Sequence, residues 1–91
     1  MEKKILHLTL LKKWFDEIAS GRKKVEYREI KPYWTKRLFD KEGKPKEYDL
    51  IVFKNGYSKG CPEMTVEFKG IRVGKEYEIL LGKIINVNSI C

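Results

Sequence analysis

The sequence predicts an α+β domain, mostly β: a small barrel of about five to six strands, with a helix at roughly 11–20 and a short helix near 32–39. Three observations predict it. Apolar residues alternate at Leu6, Leu8 and Leu10, and again at Met64, Val66 and Phe68, which is the two-residue period of a half-buried strand. Between residues 11 and 20 the apolar period becomes that of a helix. The remaining strand-like runs cluster late in the chain, which favours a mostly antiparallel sheet that curls on itself. A chain of 91 residues is long enough for one small core, so residues 1–91 read as a single domain.

Each element has its own signal. From Lys4 to Leu10, Leu6, Leu8 and Leu10 share one face; Ile5, His7 and Thr9 share the other. His7 is the sole histidine and stands on the more polar face, where a hydrogen-bonding role suits it better than catalysis. Leu11, Trp14, Phe15, Ile18 and Ala19 then recur at helical spacing opposite Lys12, Lys13, Asp16 and Glu17. Thr9 or a neighbour is the candidate N-cap, and Gly21 the candidate left-handed terminator. The pairs Lys12–Asp16 and Lys13–Glu17 run base before acid, the weaker order. Packing of Trp14 and Phe15 is therefore expected to carry this helix, with Trp14 in the core.

Lys24 to Ile30 alternates again, with Val25 and Tyr27 on one face and Lys24, Glu26 and Arg28 on the other. Pro32 suits the first turn of the second helix, whose Trp34 and Leu38 would cover the fold. Asp40 to Glu47 has no apolar anchor and reads as a mobile polar loop. Tyr48 to Phe53 is nearly continuous apolar sequence, the pattern of a central strand covered on both sides. Lys54-Asn55-Gly56-Tyr57 turns the chain out of it. Met64 to Lys69 is a strand, Gly70 and Gly74 punctuate turns, and Tyr77–Leu81 and Ile84–Val87 close the domain, with Gly82 as a bulge or kink.

Composition limits the partners. No apolar run approaches the ~20 residues of a membrane span, and the apolar stretch at Ile5 is broken too soon to be expected as a signal peptide. No membrane association is expected. Cys61 and Cys91 lack metal-ligand spacing, so the thiols are expected free, the setting cytoplasmic, and neither metal nor cofactor is called for. The net charge is +7 and one-sided: residues 1–46 carry fourteen Lys and Arg against seven Asp and Glu, and residues 47–91 carry six of each. An asymmetric positive field suits a polyanion, nucleic acid first; a merely solubilising lysine surface is the alternative.

Chemistry concentrates in Gly21-Arg22-Lys23-Lys24-Val25-Glu26-Tyr27-Arg28. Lys23 is crowded by like charge on both sides, a setting that suits a proton-exchanging lysine; exposed, it would be only a solvated cation. Glu26 and Arg28 lie two apart on one strand face, where Arg28 can bind phosphate or a carbonyl oxygen and Glu26 can accept a hydrogen bond from an amino group or activate water. Read blandly, they are a surface ion pair. In the second segment, Lys54, Asn55 and Tyr57 are candidate ligand contacts. Tyr57 could stack on a base while Asn55 reads its edge, and a plain turn is the alternative.

These segments together resemble the ASCH domain family of the PUA-like superfamily. The carriers are Leu6-His7-Leu8 leading into Trp14-Phe15, the Gly-x-Lys-x-x-Glu-x-Arg pattern of Gly21, Lys23, Glu26 and Arg28, then Pro32-Tyr33-Trp34 and Phe53-Lys54-Asn55-Gly56-Tyr57. The resemblance spans almost the whole chain. It implies a PUA-like β-barrel flanked by helices, with a cleft beside the signature strand, and an RNA- or nucleotide-binding role. Some relatives are hydrolases, one branch cleaving an acetylated cytidine and another RNA. In the amidohydrolase branch the signature lysine activates a threonine three residues later. Lys23 matches that lysine, but Glu26 stands at the threonine position, so covalent threonine chemistry has no nucleophile here. The connection from Ile71 to Tyr77 is short for the family, which leaves the cleft more open.

The reading is therefore an RNA- or nucleotide-binding module with Lys23, Glu26, Arg28, Lys54, Asn55 and Tyr57 at its site. The alternative is a metal-independent hydrolase, a nucleoside amidohydrolase or ribonuclease, with Lys23 and Glu26 as its acid/base pair. A protein partner docking on Tyr33, Trp34 and Leu38 is the third reading.

Overall fold

The computed structural model describes residues 3–56 and 62–88. In chain order it has β1 (Ile5–Leu10), α1 (Lys12–Ala19), β2 (Val25–Arg28), α2 (Pro32–Leu38), β3 (Leu50–Asn55), β4 (Glu63–Val73) and β5 (Tyr77–Asn88). The strands form one sheet in the order β1-β3-β4-β5-β2. β1 runs parallel to β3, from Ile5 opposite Leu50 to Leu10 opposite Asn55. The other pairs are antiparallel. The sheet is curled into a half-barrel, so the protein is a small, mostly β, α+β fold.

The curl has a local cause. Pairing of β4 with β5 shifts register three times between Thr65 and Gly70. Gly82 and Lys83 together oppose Glu67, whose carboxylate accepts the Lys83 N–H at 2.9 Å. Each extra residue bends its strand and increases twist. Gly82 thus marks a bulge, as its place in the sequence suggests. Gly70, expected in a turn, lies inside β4 at φ +125°, a conformation that needs glycine. The chain reverses after Val73 instead, where Gly74 N–H donates to the Glu76 carbonyl.

The inner face of the sheet carries the core. Leu6, Leu8 and Leu10 of β1, Ile51 and Phe53 of β3, Met64 and Val66 of β4, and Tyr77 and Ile79 of β5 are buried with Phe15, Ile18 and Leu38 from the helices. Each such side chain contributes about 1.5–3 kcal/mol on leaving water. β3 has one core face only: Leu50 and Val52 stay half-buried, so it is not covered on both sides.

α1 starts at Leu11, which is exposed and gives no side-chain cap; Thr9 is not the cap. Gly21 terminates the helix at φ +83°, with its N–H on the Ile18 carbonyl. Lys12 pairs with Asp16 at 2.7 Å, whereas Glu17 takes Arg22 at 3.0 Å and not Lys13. Pro32 opens α2 as expected. The Thr35 and Tyr77 hydroxyls share a 2.6 Å hydrogen bond that fixes α2 to β5. Residues 40–47, expected to be an unanchored loop, hold themselves together. The Asp40 carboxylate accepts the N–H groups of Glu42 and Lys44, Phe39 bridges to Pro45, and Lys46 N–H donates to the Leu38 carbonyl. Among the described residues no helix is long and apolar enough to cross a membrane.

Candidate functional site

β2 is a four-residue edge strand whose partner is β5. Glu26 lies opposite Ile79 and Arg28 opposite Tyr77, both core residues. Directly opposed residues project to the same face. The charged side of β2 therefore turns inward, and Tyr27 turns outward.

Glu26 is 3% exposed, the buried charged residue of the described chain. One carboxylate oxygen meets Lys23 Nζ at 3.2 Å and the other meets Arg28 Nη1 at 2.9 Å. The two cationic side chains are each 18% exposed. A carboxylate this buried is tolerable only with such partners. Two cations about one anion leave the cluster with a surplus of positive charge.

Both cations also lie on aromatic faces. Lys23 Nζ stands 4.7 Å from the Trp14 ring centre and 5.1 Å from that of Tyr27. The Arg28 guanidinium lies 5.0 Å from the Trp34 ring centre. The result is one continuous chain of contacts: Trp14, Lys23, Glu26, Arg28, Trp34. Arg28 Nη2 goes further and donates to the Thr9 carbonyl of β1 at 3.2 Å. β1 and β2 are the two edges of the sheet, so this guanidinium spans the seam of the half-barrel. Among the described residues, Arg28 Nε is buried with no hydrogen-bond partner.

Lys23, Glu26 and Arg28 are thus brought together. Lys54 is not with them: it pairs with exposed Glu63 at 3.5 Å. Asn55 ends β3 opposite Leu10, next to the residue whose carbonyl Arg28 binds, and its N–H donates to the Pro62 carbonyl. Gly56 follows at φ +101°, as a tight turn requires. Tyr57 lies outside the described residues, as do Cys61 and Cys91. Two recesses of about 340 Å³ each flank the Lys23–Lys24 segment. The first is floored by Ile18, Val66, Leu81 and Ile84; the second is walled by Trp14 and Tyr27. Neither is lined by Glu26, Arg28 or Asn55. Lys23 is the member of the cluster that reaches both.

Trp14, Trp34 and the Thr9 carbonyl were not among the residues expected here. Trp14 is 40% exposed and half outside the core it was expected to join. The signal was available: Trp14 and Phe15 are adjacent, about 100° apart on a helix, so one of them must leave the centre of the apolar stripe. The Thr9 contact has no sequence signal, because it joins strands through a backbone carbonyl. Among the described residues no group of three His, Cys, Asp or Glu could hold a metal ion. No family model matches the chain, and no curated protein or solved structure is significantly similar to it.

Proposed function

We propose that this chain is a nucleotide- or RNA-binding module of the ASCH type, with a PUA-like barrel, and that its ligand engages at Lys23 beside the Glu26–Arg28 pair. One observation carries the reading: a buried carboxylate clamped between two cations, each lying on a tryptophan, at an open sheet edge. An ion cluster of this kind contributes little net stability by comparison with apolar packing. Its position at an edge strand is better accounted for by a polar ligand. The surplus positive charge favours an anionic one, and the basic first half of the chain extends that field.

The test is binding of fluorescein-labelled single-stranded RNA and of AMP, UMP and their nucleosides across a salt series. Affinity for RNA should fall steeply as salt rises, because displaced counterions drive association. Lys23→Ala should weaken both RNA and mononucleotide. If neither probe binds wild-type protein at low salt, the reading is lost.

The 3.2 Å Lys23–Glu26 pair favours hydrolysis as a second reading, since proton transfer needs such proximity. Against it, both Glu26 oxygens are already engaged and water reaches the group poorly. Turnover of acylated cytidine or short RNA that Lys23→Ala and Glu26→Gln both abolish would establish it.

A further inference from the structure

We infer that Trp14 and Tyr27 form a base-stacking subsite on the outer face of β2, so that the cognate ligand is a single strand of nucleic acid rather than a free nucleotide. The inference rests on the nucleotide-binding reading and adds a second, contiguous position to it.

The two rings are the half-exposed walls of one recess of about 340 Å³, at 40% and 45% exposure. Neither belongs to the buried core. The void is larger than a nucleobase needs. Its charge is suited to the sugar–phosphate backbone. Lys24 lines the recess, and Lys13 lies 4.9 Å from the Trp14 ring centre. Neither lysine has a carboxylate within ion-pair distance among the described residues. The one carboxylate in the recess, Glu17, is held by Arg22 at 3.0 Å and 3.5 Å. A free cation would be repelled by Lys13, Lys23 and Lys24, which argues against the rings serving as a cage for one.

The link to the inner cluster is Lys23. Its ammonium touches Glu26 on one side and both rings on the other. A nucleotide at the cluster and a base on Trp14 and Tyr27 would therefore be neighbours, and the ammonium would lie between them, near the connecting phosphate. Stacking on such rings is sequence-tolerant, because every base has a π face.

The experiment uses the full chain with two probes: a labelled twelve-nucleotide uridine RNA read by anisotropy, and UMP read by calorimetry. Trp14→Ala and Tyr27→Ala should each weaken the oligonucleotide by roughly 5- to 150-fold, the usual value of one stacked base. Trp14→Phe and Tyr27→Phe should restore most of it, and because both rings also hold the Lys23 ammonium of the inner site, the expected signature is that the oligonucleotide loses more affinity than UMP in each alanine variant. Circular dichroism checks that each variant is folded; Trp14→Phe keeps a ring in place should Trp14→Ala fail to fold. Oligonucleotide affinity unchanged in both alanine variants overturns the stacking subsite and leaves the inner site standing. Loss of UMP and oligonucleotide in parallel also overturns it, since the rings would then act on the inner site alone. Wild-type protein that binds neither probe removes the inner site and this one together.

Discussion

Glu26→Gln tests whether the cluster is the structural unit described above. The amide keeps the shape of the carboxylate and removes the charge between Lys23 and Arg28. Taking one partner out of a buried ion pair costs about 3–5 kcal/mol when the remaining charge is stranded. Here the stranding is incomplete. Lys23 and Arg28 keep 18% exposure, Arg28 keeps the Thr9 carbonyl, and each cation keeps an aromatic face, worth about 0.5–1 kcal/mol. The expected loss is therefore about 2–3 kcal/mol. For a domain of this size that lowers Tm by roughly 10–20 °C. Urea unfolding followed by circular dichroism gives the free energy, and a thermal scan gives Tm. Glu29→Gln is the internal control: it breaks the exposed 3.1 Å pair with Lys31 and should change stability by no more than about 0.5 kcal/mol. A Glu26→Gln protein that melts within about 2 °C of wild type would mean that the carboxylate is solvated, and the inward-facing cluster would have to be abandoned.

Other expectations concern the sheet and the pH response. An added Cβ at Gly70 meets nothing within 4 Å, so Gly70→Ala isolates the backbone strain of φ +125° and should cost on the order of 1–3 kcal/mol in urea unfolding. At Gly82 the obstacle is steric: a Cβ would stand 2.9 Å from Glu67 Cβ and 2.6 Å from Lys69 Cε. Gly82→Ala should cost about 1–3 kcal/mol, and adding Lys69→Ala should recover only part of it, because the Glu67 backbone cannot withdraw. Burial holds the Tyr48 phenol above its ordinary 10.0, against a smaller opposing effect of Arg37, and the hydroxyl donates to the Arg37 carbonyl. The folded state thus keeps the proton longer than the unfolded chain. That stability is whole below about pH 10 and is lost as pH rises further. Tyr48→Phe should flatten the alkaline limb of a stability–pH curve; an unchanged slope would show that the phenol does not contribute.

Much of the fold was legible because its signals are local and periodic. Leu6, Leu8 and Leu10 placed β1, Phe15 and Ile18 placed α1, and Gly21 and Pro32 marked helix boundaries. What the pattern misjudged depends on tertiary context. Gly70 looks like a turn residue from sequence, yet a bulged strand needs the same positive φ. The 40–47 segment looked unanchored because its anchor is a polar side chain, Asp40, rather than an apolar one. At the site, alternation identified which residues of β2 share a face. It left open which face is buried, since two charges and two apolar groups compete. Pairing with Ile79 and Tyr77 decides that, and those partners lie some fifty residues away.

That sequence separation governs how the domain can be built. β4 and β5 adjoin in the chain and can zip from the Gly74 turn at small entropic cost. β1 must wait for β3, and β2 must wait for the first half of β5. Such distant pairings are slow to nucleate. The clamp about Glu26 consequently belongs to the latest stage of assembly, after the hairpin offers Ile79 as a template. A ribosome-bound nascent chain that has not yet released residues 77–80 has no partner for β2, so the clamp about Glu26 cannot close until that segment has emerged.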